Sequence, residues 1–201
     1  MMRLLSLVFL LLISFQGMTK TLLILGDSLS AGYQMPIEKA WSSLLHDALL
    51  QKGNNVNIVN GSVSGDTTAT ALPRVKTLLS KHNPDYVLVE LGANDGLQGF
   101  PLNITQDNLT NILTQIQDFG AQPILMQIRI PPNYGKRYSD TLRQIYPKLS
   151  QQFDIPLIPF FMEQVVQKKD WMKEDGLHPN EKAQPWIAEK IAADIMPILS
   201  Q

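Results

Sequence analysis

The chain has 201 residues, of which 44% are hydrophobic and 17% charged, a composition that is typical of a globular domain and excludes a disordered chain. Its formal net charge is −1, so it lacks the basic excess of a nucleic-acid-binding protein, and we predict no nucleic-acid partner. It contains no cysteine, which excludes disulfide bonds, thiolate catalysis and lipid attachment through a cysteine.

The first 18 residues have the pattern of a secretory signal peptide. Arg3 is their only charge, a largely apolar stretch runs over residues 4–13, and polar or small residues follow. A membrane-spanning helix needs roughly 20 apolar residues, so this stretch is short for a span, and an uncleaved anchor is the alternative. We predict a periplasmic or secreted protein, cleaved near residues 14–19, with no stable membrane span after cleavage. Residues 19–201 then form one mature domain.

Short apolar runs rich in Val, Ile and Leu then alternate with longer amphipathic segments. The runs predict strands at residues 21–25, 56–60, 86–91, 124–128 and 156–159. The amphipathic segments predict helices at residues 38–51, 67–81, 105–119, 139–153 and 181–199. Five strand–helix repeats predict a five-stranded parallel sheet with helices on both faces, which is a three-layer α/β/α sandwich.

The polar loops of this pattern directly follow the predicted strands. They occupy residues 26–28, 61–66, 92–95 and 129–134. Because the carboxyl ends of parallel strands meet at one edge of a sheet, these loops are expected to lie together there.

The first of these loops and a separate turn-rich loop before the last helix contain the parts of a nucleophilic triad. Ser28 follows the first strand, and Asp175 precedes His178 by three residues in the turn-rich loop. A serine hydroxyl becomes a good nucleophile when a base removes its proton, and an Asp can orient and stabilise that base. The alternatives are structural, because Ser28 or its neighbours can cap a helix and the Asp175–His178 turn can cap the last helix.

A triad of this kind also needs hydrogen-bond donors for the oxyanion. The candidates are the Ser28 N–H, the Gly65 N–H and the Asn94 side-chain amide, while Asp27 and Asp66 are candidates for bracing the loops. Gly65 and Asn94 also fit ordinary turn or capping roles. The three scattered histidines match no zinc motif, and the sequence has no phosphate-binding loop motif, so we predict no metal and no cofactor.

Together the motifs resemble the four signature blocks of the SGNH (GDSL) hydrolases, in the family's order. The blocks correspond to residues 26–30, Gly65, residues 92–95 and residues 175–178, and the resemblance extends over about residues 20–198. It implies a flavodoxin-like fold, with Ser28 as nucleophile, His178 as base and Asp175 as its orienting acid. It also implies an oxyanion hole made by the three donors named above.

The same resemblance implies that residues 95–101 and 130–134 border the acyl chain of a substrate. The substrate-binding side chains predicted there are Leu97, Phe100, Ile130 and Tyr134. Their apolar character favours an acyl chain over a sugar.

The resulting hypothesis is a secreted serine esterase, monomeric, that hydrolyses small-molecule acyl esters and thioesters. The resemblance is strongest to bacterial members with thioesterase, arylesterase and lysophospholipase activity. Two alternatives stay open: a carbohydrate O-deacetylase of the same family, and a non-catalytic α/β binding module.

Overall fold

The five apolar runs form one parallel sheet in the computed structural model, which describes residues 19–200. The predicted signal peptide, residues 1–18, lies outside the described residues. The strands are β1 (Lys20–Gly26), β2 (Val56–Asn60), β3 (Tyr86–Glu90), β4 (Gln122–Met126) and β5 (Leu157–Ile158). Their order is β2-β1-β3-β4-β5 and every neighbouring pair is parallel, so the predicted five-stranded parallel sheet is confirmed.

Helices and short helical turns connect these strands. The α-helices are α1 (Ser28–Ala31), α2 (Trp41–Gln51), α3 (Thr68–Ala71), α4 (Val75–His82), α5 (Ala93–Leu97), α6 (Leu102–Phe119), α7 (Lys136–Phe153), α8 (Met162–Val165) and α9 (Gln184–Leu199). Single 3₁₀ turns lie at Ile37–Lys39, Leu72–Arg74, Pro132–Tyr134 and Lys169–Trp171. Between residues 19 and 200, none of the helices combines the length and the apolarity that crossing a lipid bilayer requires.

The central strands are buried on both faces. All residues of β3 are buried, and residues 22–25 of β1 are at most 1% exposed, although successive side chains of a strand point to opposite faces. Helix α2 packs against α9, while α6 packs against α4 and α7, so the sheet lies between two helical layers. Burying one such leucine or isoleucine stabilises the fold by about 1.5–3 kcal/mol, which is why these strands are nearly all apolar.

The structure differs from the predicted helices where proline or short length intervenes. The segment predicted as one helix over residues 67–81 is divided into α3, a 3₁₀ turn and α4, because Pro73 has no N–H for a continuous helical hydrogen-bond pattern. The last helix begins at Gln184 rather than residue 181, with Pro185 in its first turn, where a missing N–H costs little. Strand β5 has two residues instead of the predicted four.

Gly92 controls how closely helix α7 approaches the end of β3. Its φ of 110° is a conformation that residues with a side chain rarely adopt, and a Cβ there would lie 2.2 Å from Tyr146 Oη. Tyr146 is fully buried, and its hydroxyl donates a hydrogen bond to the Leu91 carbonyl at 2.8 Å. This contact fixes the start of α5, the helix that carries Asn94.

Candidate active site

A largely apolar cavity of about 690 Å³ opens at the carboxyl edge of the sheet. Its walls come from the segments that follow β1, β2, β3, β4 and β5 and from the loop before α9. Ser28, Gly65, Asn94 and His178 all line it. The structure therefore brings together residues that are far apart in the sequence, at the edge where the strand order predicts a binding crevice.

Ser28, His178 and Asp175 form a continuous chain of polar contacts. Ser28 Oγ lies 2.9 Å from His178 Nε2, and His178 Nδ1 lies 2.7 Å from Asp175 Oδ2. A carboxylate beside Nδ1 accepts a hydrogen bond from that nitrogen, which leaves the lone pair of Nε2 facing the serine hydroxyl. The three side chains therefore have the geometry in which a histidine can remove the serine proton.

The helix cap near Ser28 is formed by its neighbour Asp27, and the Ser28 side chain itself caps no helix between residues 19 and 200. Asp27 caps α1, since its Oδ1 accepts from the Leu29 N–H at 3.0 Å, and this leaves the Ser28 hydroxyl for His178. Before α9, the Asn180 side chain accepts from the Lys182 N–H at 3.0 Å.

Asp175 is held as a carboxylate by the loop around it. Partial burial raises its pKa, but hydrogen bonds from the backbone N–H groups of His178 and Leu177 and from the His178 ring outweigh that effect and leave the pKa below its ordinary value. An ionised carboxylate at this place fixes the orientation of the imidazole and stabilises its protonated form.

The Tyr33 ring restrains the histidine from the other side. It stacks on the His178 ring with 4.2 Å between centroids and 28° between planes. Tyr33 was not predicted as a site residue, because a tyrosine five residues after the serine carries no periodicity or motif that would distinguish it.

The three oxyanion-hole candidates lie around Ser28. Neither the Ser28 N–H nor the Gly65 N–H donates a hydrogen bond to an acceptor within residues 19–200, and Gly65 adopts a φ of 85° with no atom near the position of a Cβ. Asn94 Nδ2 donates to Asp27 Oδ2 at 3.2 Å and to the Asp66 carbonyl at 2.9 Å. These contacts hold the Asn94 amide beside the cavity.

Two buried carboxyl groups, those of Asp27 and Glu90, lie near Ser28. Asp27 is 1% exposed, and burial, opposed by the Leu29 N–H and reinforced by Asp66 and Asp95, raises its pKa to about 7. Glu90 is fully buried at the end of β3, where its Oε2 accepts from the Ser30 hydroxyl at 2.7 Å and from the Asp27 N–H at 3.4 Å. Burial first, and then the Asp27 charge, hold the pKa of Glu90 well above its ordinary value.

Asp66 braces its loop through an ion pair with a cationic side chain outside the cavity. It forms an ion pair with Arg74, whose guanidinium also donates to the Gly61 carbonyl at 3.1 Å. The predicted bracing role of Asp66 therefore has a structural counterpart in the segment after β2.

Two of the four side chains predicted to bind the acyl chain line the cavity, and two do not. Leu97 and Ile130 line the cavity, but Phe100 and Tyr134 are not among the residues that line it within the described chain. Phe100 instead anchors its segment through the backbone, since its carbonyl accepts from the Tyr138 hydroxyl at 2.7 Å, and Tyr134 lies 39% exposed in a 3₁₀ turn.

Apolar side chains from the segment after β5 and from the loop before α9 complete the cavity wall. The additional apolar or partly apolar residues are Phe160, Met162, Val166 and Leu177. Phe160 and Met162 belong to the apolar run that follows Pro159 in the sequence. That run looks like the continuation of a buried strand, so the sequence does not indicate that its side chains line a pocket.

Metal ligation finds no support among the described residues. Residues 19–200 contain no group of three or more His, Cys, Asp and Glu side chains that could hold a metal ion. Of the other histidines, His46 contacts the Val56 carbonyl at 2.8 Å and His82 ends α4, so neither approaches the cavity. The arrangement is suited to nucleophilic attack by Ser28 on a carbonyl carbon beside an apolar chain-binding cavity.

Comparison with known proteins identifies close relatives along nearly the whole chain. The model of the GDSL-like lipase/acylhydrolase family matches residues 22–191. An arylesterase from Vibrio mimicus is 56% identical over 197 residues, which cover 98% of each chain. Thioesterase 1/protease 1/lysophospholipase L1 from Escherichia coli is 50% identical over 193 residues, covering 96% of this chain and 91% of that protein. A structure of the psychrotrophic esterase EstA from Pseudoalteromonas sp., inhibited by monoethylphosphonate, matches with a TM-score of 0.87 at 42% identity, covering 90% of this chain and 100% of that one.

Proposed function

The chain belongs to the GDSL-like lipase/acylhydrolase family and is an ester-bond hydrolase, and from this premise we propose that it is an exported serine esterase acting through an acyl-enzyme on Ser28. The proposed substrates are small-molecule acyl esters and thioesters. The observation that carries the proposal is the 2.9 Å contact between Ser28 Oγ and His178 Nε2 at the wall of an apolar cavity.

In the first half of the proposed reaction, His178 Nε2 takes the hydroxyl proton as Ser28 Oγ attacks the acyl carbonyl carbon. The developing oxyanion accepts hydrogen bonds from the N–H groups of Ser28 and Gly65 and from the Asn94 amide. Asp175 stabilises the imidazolium through Nδ1. His178 then gives the proton to the alcohol or thiol as the bond to the acyl carbon breaks.

In the second half, water attacks the acyl-enzyme. His178 removes a proton from the water, the same donors hold the oxyanion, and the proton returns to Ser28 Oγ as the carboxylic acid departs. Every group in this cycle comes from one chain, so we propose that the protein acts as a monomer and without a metal or cofactor.

The apolar lining of the cavity supports a chain-like acyl group. Leu97, Ile130, Phe160 and Val166 present apolar surface near Ser28. Hydrolysis of a series of 4-nitrophenyl esters from acetyl to octanoyl tests this: we expect activity to extend beyond acetyl because longer chains bury more apolar surface. A preference confined to acetyl would favour a carbohydrate O-deacetylase instead.

The nucleophile is tested by Ser28→Ala. We expect kcat on 4-nitrophenyl butyrate to fall by more than about 10⁴-fold, because the acyl-enzyme cannot form. Ser80→Ala, an exposed serine on α4, is the matched control and should keep normal activity. A fluorophosphonate probe should label the parent protein and the control, and mass spectrometry should locate the label on Ser28. Normal turnover by Ser28→Ala would exclude the mechanism.

Export is proposed on the pattern of residues 1–18. Expression of the full chain in a bacterial host should give a periplasmic or secreted product that lacks these residues. N-terminal sequencing of the product measures the cleavage position, and a full-length product that stays bound to the membrane would support the uncleaved anchor.

A further inference from the structure

We propose that Asp95 is a positioning residue of the oxyanion hole, whose buried carboxyl joins the segment that carries Gly65 to the helix that carries Asn94. This inference rests on the proposed function, because it assumes that the Gly65 N–H and the Asn94 amide bind the oxyanion. It adds to that function the side chain that holds these two donors in a fixed relation.

The two donors reach the site on separate parts of the chain. Gly65 lies in the segment between β2 and α3, and Asn94 lies on α5, which follows β3. Strands β2 and β3 are not neighbours in the sheet, because β1 lies between them. No strand pairing therefore joins the two segments directly, and contacts beyond the strand ends have to fix the distance between the donors.

Asp95 supplies such a contact. Its Oδ2 accepts from the Thr68 N–H at 2.8 Å, and its Oδ1 accepts from the Thr68 hydroxyl. Thr68 begins α3, three residues after Gly65, and Asp95 directly follows Asn94 on α5. Both oxygens of one carboxyl therefore bind the same residue of the opposite segment, which restricts the orientation of the two segments as well as their separation.

This link stays outside the proposed reaction. Asp95 and Thr68 are fully buried, and neither is among the described residues that line the cavity. Asn94 also crosses between the segments, through its bond to the Asp66 carbonyl, but the amide that makes this bond has to serve the oxyanion during turnover. The bonds of Asp95 can hold both segments in place while that amide changes partners.

A carboxyl is suited to this position because it accepts from three donors at once. Besides the two groups of Thr68, Asp95 Oδ1 accepts from the Thr105 hydroxyl of α6 at 3.2 Å. An amide side chain would offer one acceptor oxygen in place of two. Asp95 forms no ion pair within residues 19–200, so these neutral donors offset the cost of burying it.

Two isosteric substitutions separate a positioning role from a purely structural one. Thr68→Val and Thr105→Val each remove one buried hydroxyl that donates to Asp95, so both should lower the midpoint of urea unfolding. Only Thr68→Val loosens the link between the segments that carry the two donors. The two variants should therefore differ in catalysis although they share a structural defect.

For Thr68→Val we expect kcat on 4-nitrophenyl butyrate to fall about tenfold, with KM changed by less than about twofold. A misplacement of about 1 Å can cost about 10²-fold, and the bond from the Thr68 N–H remains in this variant. For Thr105→Val we expect kcat to stay within about twofold of the parent value. Thr68→Ser keeps the hydroxyl and should restore most of the lost kcat.

Labelling of Ser28 by a fluorophosphonate gives a second readout. Its rate should fall in Thr68→Val but not in Thr105→Val, because the phosphonyl oxygen needs the same donors. Thr68→Ala replaces Thr68→Val in both measurements if the valine variant does not fold. An unchanged kcat after loss of the Thr68 hydroxyl, or equal losses of kcat in the Thr68 and Thr105 variants, would overturn the proposal. Failure of the proposed function is a different outcome, since it would appear as hydrolysis of the ester by Ser28→Ala.

Discussion

Two hydrogen bonds to neighbouring residues position the side-chain amide of Asn94. Both hydrogens of its amide nitrogen are directed to acceptors, one to Asp27 Oδ2 and one to the Asp66 carbonyl. An oxyanion at Ser28 must share or replace one of these acceptors, and the longer contact, to Asp27, is the weaker of the two. The proposed oxyanion hole would combine two N–H groups of the backbone with one amide that is already positioned.

We expect Asn94→Ala to lower kcat on 4-nitrophenyl butyrate about 10²–10³-fold with a much smaller change in KM, because an oxyanion donor acts mainly in the transition state. Asn103→Ala, on the exposed side of α6, is a matched control. Steady-state kinetics of both variants checks the prediction. A loss of less than about tenfold would remove Asn94 from the oxyanion hole.

Asp27 makes stability depend on pH in a direction opposite to that of most carboxyl groups. Its pKa is raised from 3.8 to about 7, so between these values the folded protein binds a proton that the unfolded chain has released. The free energy of unfolding therefore decreases as pH rises through this window. The raised pKa of Glu90 acts in the same direction, whereas the lowered pKa of Asp175 adds stability that is lost only as pH falls below its ordinary range.

Asp27→Asn should make this decrease shallower, because the amide does not titrate. Urea unfolding at several pH values between about 4.5 and 8 measures the slope. Asp118→Asn, at an exposed position of α6, should keep the slope of the parent protein. An identical slope in Asp27→Asn and the parent would show that Asp27 ionises as freely in the folded protein as in the unfolded chain.

At the scale of elements, the packing of Tyr146 against the junction of β3 with α5 determines the position of Asn94 in the site. Gly92 ends this strand region with a positive φ, and the buried Tyr146 hydroxyl occupies the space that a Cβ would need. The hydroxyl is tied to the Leu91 carbonyl, so it cannot retreat without losing a buried hydrogen bond.

Gly92→Ala should therefore lower the free energy of unfolding by more than backbone strain alone. Gly120→Ala is the matched control, since Gly120 also has a positive φ but has open space at the Cβ position, and it should cost about 1–2 kcal/mol. Overpacking should add about 1–3 kcal/mol for Gly92→Ala, and kcat should fall because α5, which carries Asn94, shifts. Urea unfolding and kinetics measure both effects, and equal costs at the two glycines would contradict the packing argument.

Several element boundaries agree with the sequence-based predictions to the residue. The bounds predicted for the second strand, residues 56–60, agree with β2, and the predicted end of the helix before β4 agrees with Phe119, where Gly120 takes a left-handed conformation. The short helices α1 and α5 were not predicted, because four or five residues are too few to show helical periodicity. These two helices carry Ser28 and Asn94, so the local shape of the site came from the structure.

At the scale of the whole molecule, alternation of strands and helices predicted the parallel sheet and the meeting of the polar loops. The strand order was not predicted, because it is decided by pairing between strands that are distant in the sequence. Long-range packing also explains why Phe100 and Tyr134 were predicted to line the cavity but do not. Apolar character near a site indicates a cavity wall, but the packing of α7 and of the segment after β4 decides which side chains face the cavity.

The whole reaction should proceed without a bound metal ion. Excess EDTA is expected to leave kcat unchanged, because the proposed cycle uses only side chains and backbone N–H groups, and no cluster of metal-binding side chains occurs in the part of the chain that the structure describes. Assay in chelator-treated buffer tests this. Activity that is lost with EDTA and regained with a divalent cation would require a different mechanism.

Asp175, His178 and Lys173 all belong to one short loop that closes on itself. Met172 forms an antiparallel bridge with Pro179, and the Lys173 N–H is bonded to the His178 carbonyl inside that bridge. Asp175 and His178 are therefore held relative to each other within one closed loop, independently of Ser28, which begins α1.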